Sequence, residues 1–124
     1  MMGNDRLSLS QIVVLVAYAA GMAGGQVLFK AAALRYVPEG PLWDRLSSLL
    51  ANSYFVAAIL LYVGLTVLWV WVLTFTPLSR AYPFVALAFA ITPLLAGLIF
   101  AEPIALRLIL GTALILCGLV LVAS

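Results

Sequence analysis

Ionisable side chains are scarce in this sequence, and their positions restrict the chemistry available to it. Of its 124 residues, 6 are Lys or Arg, 4 are Asp or Glu, and none is His. The sequence contains no glycine-rich phosphate loop and no serine paired with a base, and Cys117 stands alone in an apolar run. We therefore expect a protein that is not an enzyme and binds no metal or cofactor. The few dispersed basic residues also exclude a nucleic-acid partner.

Carboxylates decide whether the chain fits a proton-coupled exporter of cations, because such a protein needs one inside the membrane. The acidic residues Asp5, Glu39, Asp44 and Glu102 all lie outside the long apolar runs. Glu102 lies at the junction of two runs and has two interpretations. Either it caps the last helix and pairs with Arg107 about one turn later, or it couples transport to protons.

Two basic residues lie inside apolar segments. Lys30 precedes Arg35 by five residues, which places it about 7 Å deeper along a helix. Arg107 follows Pro103 by four residues, or about 6 Å. An embedded charge costs on the order of 3 kcal/mol, so it is usually paired, extended toward the interface, or functional. Snorkelling and recognition of an anion, above all a phosphate, both remain open for Lys30 and Arg107.

Lys30 belongs to a polar stripe along one apolar segment. Tyr18, Met22, Gln26 and Lys30 are four residues apart and therefore follow one face of a helix. Gln26 is near the middle of the segment, where an amide facing lipid is costly. The stripe is expected to face other helices or a polar cavity. For Gln26, an interhelical hydrogen bond and a ligand contact both remain open.

These side chains must be positioned by membrane helices, because 67% of the residues are hydrophobic and 8% are charged. Four stretches reach the roughly 20 apolar residues that a membrane span requires. They are residues 12–34, 54–76, 81–101 and 104–123. The Ala17-Tyr18-Ala19 sequence imitates a signal cleavage site, but the apolar run continues far beyond it, so we expect this segment to be retained. The sequence predicts an all-α, four-helix membrane bundle forming one domain over residues 1–124.

The residues between the spans support these boundaries. Residues 41–50 have apolar side chains at helical spacing, which predicts a short interfacial helix that either anchors the loop or serves as a lateral gate. Ser53 is expected to cap the second span, and Glu102-Pro103 to start the last. Gly111 and Gly118 lie two turns apart in that last span and permit close helix packing.

The distribution of basic residues bears on orientation. The amino-terminal side carries Arg6 and Arg80, and the other side carries Lys30, Arg35, Arg45 and Arg107. The positive-inside rule then predicts a cytoplasmic long loop with both termini outside. Because the bias is two charges, insertion in both orientations also stays open.

The order of short motifs resembles the drug/metabolite transporter superfamily. The relevant segments are Thr76-Pro77-Leu78-Ser79-Arg80-Ala81-Tyr82-Pro83, then Phe100-Ala101-Glu102-Pro103, then Cys117-Gly118 in a final apolar helix. Gly25-Gln26 followed by Lys30 is similar to the G-Q/T-x-x-x-K pattern of the same group. The resemblance spans about residues 13–122 and includes small multidrug resistance-like and EamA-like four-helix proteins.

Two branches of that superfamily have this size. The small multidrug resistance family carries a membrane Glu eight residues before the position of Lys30, whereas this chain has Met22 there. That departure disfavours proton-coupled cation export, which stays as the alternative, with Glu102 as its coupling residue. The second branch, which the chain resembles more, consists of paired small subunits that flip aminoarabinose-phosphoundecaprenol.

The resemblance to the second branch implies a dimeric transporter or flippase of the bacterial inner membrane. Its substrate would be an anionic polyprenyl-phosphate-linked sugar or a related lipid. The dimer would join two copies of this chain, or this chain and a related subunit. The last helix is similar to the dimerising helix of the small multidrug resistance family, so it is the expected interface, with Gly111 and Gly118 in it. A membrane partner that stabilises another complex without transporting anything is a further class.

The implied substrate site is assigned residue by residue. Lys30 and Arg80 are expected to hold the phosphate, while Gln26 and Tyr82 line a polar path. The apolar wall is expected to consist of Met22 and Phe84.

Overall fold

The computed structural model describes residues 7–36 and 39–123, and all regular secondary structure in this part of the chain is helical. Helix α1 is Leu9–Arg35, α2 is Leu42–Leu50 and α3 is Ser53–Leu73. Helix α4 is Leu78–Ala81, a 3-10 turn covers Tyr82–Val85, α5 is Ala86–Phe100, and α6 is Leu106–Ala123. Leu9–Arg35, Ser53–Leu73, Leu78–Phe100 and Leu106–Ala123 are each long and apolar enough to cross a membrane. The predicted all-α architecture with four spans is confirmed. Asp5 and Arg6 lie outside the described residues.

Side-chain caps fix where the first two spans begin. The Ser8 hydroxyl accepts from the Gln11 backbone N–H, and the Gln11 side chain accepts from the Ser8 N–H, which together form a capping box. The expectation that Ser53 caps the second span is wrong. Asn52 does so, because its side-chain oxygen accepts from the backbone N–H groups of Tyr54 and Phe55.

The third span is interrupted near its start, where the sequence predicts continuous helix from Ala81. Pro83 lies in the 3-10 turn between α4 and α5. Proline has no N–H to donate and its ring crowds the preceding turn, so the chain here adopts the tighter 3-10 form. Farther along, Pro93 lies inside α5 without ending it.

Helix α1 is the centre of the bundle, since it packs along both α3 and α5. Two glycines on its α3 side permit the close approach. A Cβ added at Gly21 would lie 2.9 Å from Leu65 Cδ2, and one added at Gly25 would overlap the Tyr62 ring. A carbonyl–amide contact adds to this packing, because Asn52 Nδ2 donates to the Ala32 carbonyl at 3.0 Å. Small residues thus bring α1 and α3 together, as their spacing predicts.

A cluster of buried side chains, called the core cluster here, lies at the amino-terminal end of α1. It consists of side chains from all four spans, namely Leu15, Val72, Ala81, Phe84 and Leu119. At the same end, Gln11 Nε2 donates to the Phe75 carbonyl at 3.0 Å and to Thr76 Oγ1 at 3.2 Å. These contacts hold the start of α1 against the end of α3.

The link between α5 and α6 differs from the prediction. Ala101 has φ 54°, the left-handed conformation that ends a helix, and the Glu102 N–H donates to the Ala96 carbonyl at 3.4 Å. Helix α6 then begins at Leu106, so Glu102-Pro103 is not its first turn. Glu102 therefore belongs to the end of α5 and does not cap α6.

Two helices have little cover within the described chain. Helix α6 packs mainly on α5, and Leu119 is its buried residue. Helix α2 occupies the predicted position between the first two spans and has no buried residue. Its large apolar side chains are exposed, with Trp43 78% and Leu50 68% accessible. Such faces are expected where lipid or another protein chain provides the cover.

Candidate functional site

A groove runs between α1 and α5 on the face that carries the polar stripe. Its central part is a cavity of about 390 Å³, and its outer part is a cavity of about 290 Å³. The two cavities meet at Gln26 and Thr92, which line both. The central cavity is otherwise lined by Met22, Val85, Ala88, Phe89 and Pro93, and the outer one by Val27, Lys30, Ala96, Phe100 and Glu102. The groove therefore passes from an apolar section to a charged end.

An ion pair occupies the charged end. Lys30 Nζ lies 3.3 Å from Glu102 Oε2, and the two side chains are 46% and 41% exposed. The predicted pairing of Glu102 with Arg107 is wrong, because the left-handed turn at Ala101 directs the acid toward α1 before α6 begins. Arg107 is exposed at the start of α6. Both charges of the ion pair remain accessible from the groove.

Hydrogen bonds from Tyr62 fix the middle of the stripe. The Tyr62 hydroxyl donates to the Met22 carbonyl at 2.9 Å and lies 2.8 Å from Gln26 Nε2. A phenol has one proton, and Tyr62 donates it to the Met22 carbonyl. The hydrogen bond with Gln26 must therefore be donated by the Gln26 amide nitrogen to the Tyr62 oxygen. Gln26 thus forms an interhelical hydrogen bond, and its side chain also lines both cavities. The two interpretations of Gln26 are compatible in one geometry.

Aromatic side chains continue the stripe toward the other end of the bundle. Tyr18 stacks on Trp69 with ring centroids 4.9 Å apart. Trp69 in turn meets Tyr82 edge-on at 6.3 Å. Tyr82 is 61% exposed, and it lines an open cavity of about 730 Å³ with Trp69 and Leu78. Tyr18 and Tyr82 therefore lie along one aromatic path at the end of the bundle that holds the core.

Arg80 lies at that end as well, far from Lys30. Its backbone N–H donates to the Pro77 carbonyl, just after the segment that contacts Gln11. Lys30 is nineteen residues beyond Gln11 along α1, a helical rise of about 28 Å. Arg80 and Lys30 therefore cannot contact the same phosphate at the same time. The Nε and Nη2 atoms of Arg80 are buried and have no hydrogen-bond partner among the described residues.

Three other predicted site residues do not line the groove. Phe84 is 4% exposed in the core cluster, so its expected place in the substrate wall is wrong. Its position in the 3-10 turn directs the ring into the core beside Leu15 and Val72. Gly111 and Gly118 are on α6, where an added Cβ would meet no atom within 4 Å. They do not serve packing within the part of the chain that the structure describes.

One residue that supports the groove and one that lines it are absent from the sequence-based site. Tyr62 holds Gln26, and Thr92 lies at the junction of the two cavities. Both are polar residues inside long apolar spans, and such residues usually face the bundle interior or a cavity. That signal is present in the sequence for both residues.

The groove can hold a charged headgroup at one end and apolar groups along its length. An ammonium and a carboxylate supply the charges, and an amide and a hydroxyl lie next to them. In the part of the chain that the structure describes, no cluster of His, Cys, Asp and Glu could hold a metal ion. The chemistry of the groove is that of recognition by charge and hydrogen bonding.

The comparisons with known proteins give one partial similarity. No family model matches this chain, and no solved structure matches it. The probable 4-amino-4-deoxy-L-arabinose-phosphoundecaprenol flippase subunit ArnE of Enterobacter sp. (strain 638) is 44% identical over 57 residues. The match covers 46% of this chain and 53% of the relative, so the chain spans about half the length of the curated relative it matches. The protein is thus a multi-pass membrane protein, similar over that part to a subunit named as a flippase rather than an enzyme.

Proposed function

We propose that this chain is one subunit of a dimeric transporter or flippase of the bacterial inner membrane. Its substrate is an anionic polyprenyl-phosphate-linked sugar or a closely related lipid. The observation that carries this proposal is the accessible Lys30 ammonium at the end of a largely apolar groove. The name of the relative, which describes an amino sugar linked through phosphate to undecaprenol, agrees with that chemistry.

The groove suits the parts of such a lipid. The phosphate binds Lys30, because an ammonium forms charge-assisted hydrogen bonds with phosphate oxygens. The sugar hydroxyls contact Gln26 and Thr92, which line the same cavity as Lys30. The apolar section at Met22 and Phe89 accommodates the start of the polyprenyl chain.

Arg80 acts at the opposite membrane face in this proposal. Its position about 28 Å from the level of Lys30 is close to the thickness of the hydrocarbon core. A guanidinium whose Nε and Nη2 atoms are buried without a hydrogen-bond partner among the described residues gains free energy from an anionic partner. We therefore assign Lys30 and Arg80 to the two ends of the route, with Tyr82 beside Arg80.

The exposed apolar surface of α6 supports the dimer. Helix α6 packs mainly on α5 and exposes most of its apolar surface, including Leu114 and Leu121. The open space at Gly111 and Gly118 accommodates a helix of a second subunit at close range. That subunit is a second copy of this chain or a related chain, and two such halves enclose a site between them.

Transport in reconstituted vesicles tests the proposal. The probe is a fluorescent undecaprenyl-phosphate-linked sugar, and the compared variants are Lys30→Gln and Arg107→Gln. Removing a charge-assisted hydrogen bond worth about 1.5–3 kcal/mol lowers the rate by about tenfold or more in Lys30→Gln. Arg107→Gln is the matched control, because it removes an exposed charge from the same membrane side.

Equal rates in wild type and Lys30→Gln contradict the proposal. Reconstitution also separates it from the role of a non-transporting membrane partner. If vesicles that contain this chain, alone or with one related subunit, transport the probe, the role of a non-transporting partner is excluded.

Export of small cations is the second candidate function, and the accessible Glu102 carboxylate in the groove favours it. This function predicts that tetraphenylphosphonium binds and releases protons, and that Glu102→Gln abolishes the release. Absence of tetraphenylphosphonium binding contradicts it.

A further inference from the structure

Glu102 occupies the place on Lys30 that the proposed function gives to the substrate phosphate. We propose that Glu102 is an internal competitor of the substrate. In the unloaded protein its carboxylate holds the Lys30 ammonium, and an anionic headgroup displaces it and frees the link between α5 and α6. This inference rests on the proposed function, because it concerns the same ammonium.

The geometry places Glu102 and the proposed substrate phosphate at the same atom, Lys30 Nζ. Glu102 Oε2 lies 3.3 Å from Lys30 Nζ, and both residues line the same cavity of about 290 Å³. A phosphate that reaches Nζ inside this cavity comes close to the carboxylate. Two anions at that distance repel each other, even at the effective dielectric constant of about 20 that applies near a protein surface. Binding of the phosphate is therefore favoured when the carboxylate moves away.

The accessibility of the pair makes this exchange feasible. Lys30 is 46% exposed and Glu102 is 41% exposed, so a ligand reaches the ammonium without unfolding a helix. The released carboxylate is next to open space and gains hydration when it leaves. A fully buried ion pair would lack this route, because an uncompensated buried charge is costly.

The link that carries Glu102 has an irregular backbone. Residues 101–105 form no helix, and the Glu102 N–H holds the end of α5 through a long hydrogen bond of 3.4 Å to the Ala96 carbonyl. Within the described ranges, the Lys30 contact is the salt bridge that ties this link to α1. Helix α6, which follows, has Leu119 as its buried residue. Loss of the ion pair therefore removes the tie between this link and α1.

Binding of farnesyl phosphate to the detergent-solubilised full chain tests the competition. Glu102→Gln keeps the size of the side chain and removes the competing charge, so the affinity for farnesyl phosphate should rise about twofold to fivefold. Glu39→Gln is the matched control, since it removes an exposed acid outside the groove and should leave the affinity unchanged. Glu102→Ala provides a second variant if the first folds poorly. Lys30→Gln combined with Glu102→Gln should lose the gain, because the ammonium is then absent.

A second measurement follows the link itself. Amide hydrogen exchange in residues 101–105 should accelerate when farnesyl phosphate binds to the wild type. In Glu102→Gln it should already be fast without ligand. A Glu102 that serves only as a structural tie would give faster exchange in the variant but no gain in affinity.

The outcomes separate the two ideas. One outcome is that farnesyl phosphate binds through Lys30, but with the same affinity in the wild type, Glu102→Gln and Glu102→Ala. This result overturns the competition and leaves the proposed function standing. Failure of the wild type and of every variant to bind farnesyl phosphate overturns the proposed function, and the competition with it. Tighter binding in both Glu102 variants that requires Lys30 supports the inference.

Discussion

Tyr62 on α3 crosses to α1 and holds Gln26 at 2.8 Å while donating its own proton to the Met22 carbonyl at 2.9 Å. One phenol thereby fixes a side chain and a backbone group on successive turns of the polar stripe. The Tyr62 ring also stacks on Phe29 with centroids 5.4 Å apart. The orientation of the amide in the groove therefore depends on a residue outside the groove lining.

The Tyr62 hydroxyl is expected to stabilise the bundle. Tyr62→Phe keeps the ring but leaves the Gln26 amide without this partner, so we expect a loss of about 0.5–1.5 kcal/mol in unfolding free energy. Tyr54→Phe is a matched control, because the Tyr54 ring faces the Arg35 guanidinium at 4.4 Å through its π face. Thermal unfolding in detergent measures both. Equal losses in the two variants would show that the Gln26 contact contributes nothing specific.

The close contact between α1 and α3 predicts opposite effects at two neighbouring glycines. In Gly25→Ala the new Cβ meets the Tyr62 ring, so the helices must separate, at a cost of about 1–3 kcal/mol. In Gly24→Ala the Cβ meets no atom within 4 Å, and the substitution should gain up to about 1 kcal/mol through helix propensity. Unfolding temperatures of the two variants check this order. A Gly25→Ala protein as stable as Gly24→Ala would contradict the packing.

Arg80 should matter for transport more than for stability. Arg80→Met removes two buried nitrogen atoms that have no hydrogen-bond partner among the described residues, so unfolding free energy should rise by about 1 kcal/mol or stay equal. Transport of the polyprenyl-phosphate probe should fall about tenfold if Arg80 receives the phosphate at the second membrane face. A stability loss above about 1 kcal/mol, measured by thermal unfolding, would instead identify Arg80 as a structural residue.

The exposed face of α2 predicts a shallow position in the membrane. Trp43 is 78% exposed, and the apolar residues beside it, Leu42 and Leu46, are exposed too. In a Trp69→Phe/Trp71→Phe background, lipids brominated near the headgroup should quench Trp43 fluorescence strongly, and lipids brominated at the chain ends weakly. Acrylamide from the aqueous phase provides the comparison. Strong acrylamide quenching without lipid quenching would place α2 in water.

The sequence by itself determined the spans, because hydropathy over about 20 residues is a local property and needs no partner. It also showed that the acids lie outside the apolar runs and that Lys30 and Gln26 share one helix face. The sequence located the helix caps only to within a residue or so. Ser53 was the expected cap of the second span, and Asn52 is the observed one. Which of two adjacent residues caps a helix depends on the backbone conformation of the local turn. The hydropathy pattern does not specify that conformation.

Only the tertiary structure decided which groups meet. Glu102 pairs with Lys30 rather than with Arg107 because the left-handed turn at Ala101 ends α5 and directs the acid toward α1. The order of the spans already places Lys30 and Arg80 on opposite membrane sides, and the contact of Gln11 with Phe75 agrees with that order. Apolar helices carry few polar residues to mark an inward face, so packing of small and large side chains decides which faces touch. The groove and its ion pair are consequences of that packing.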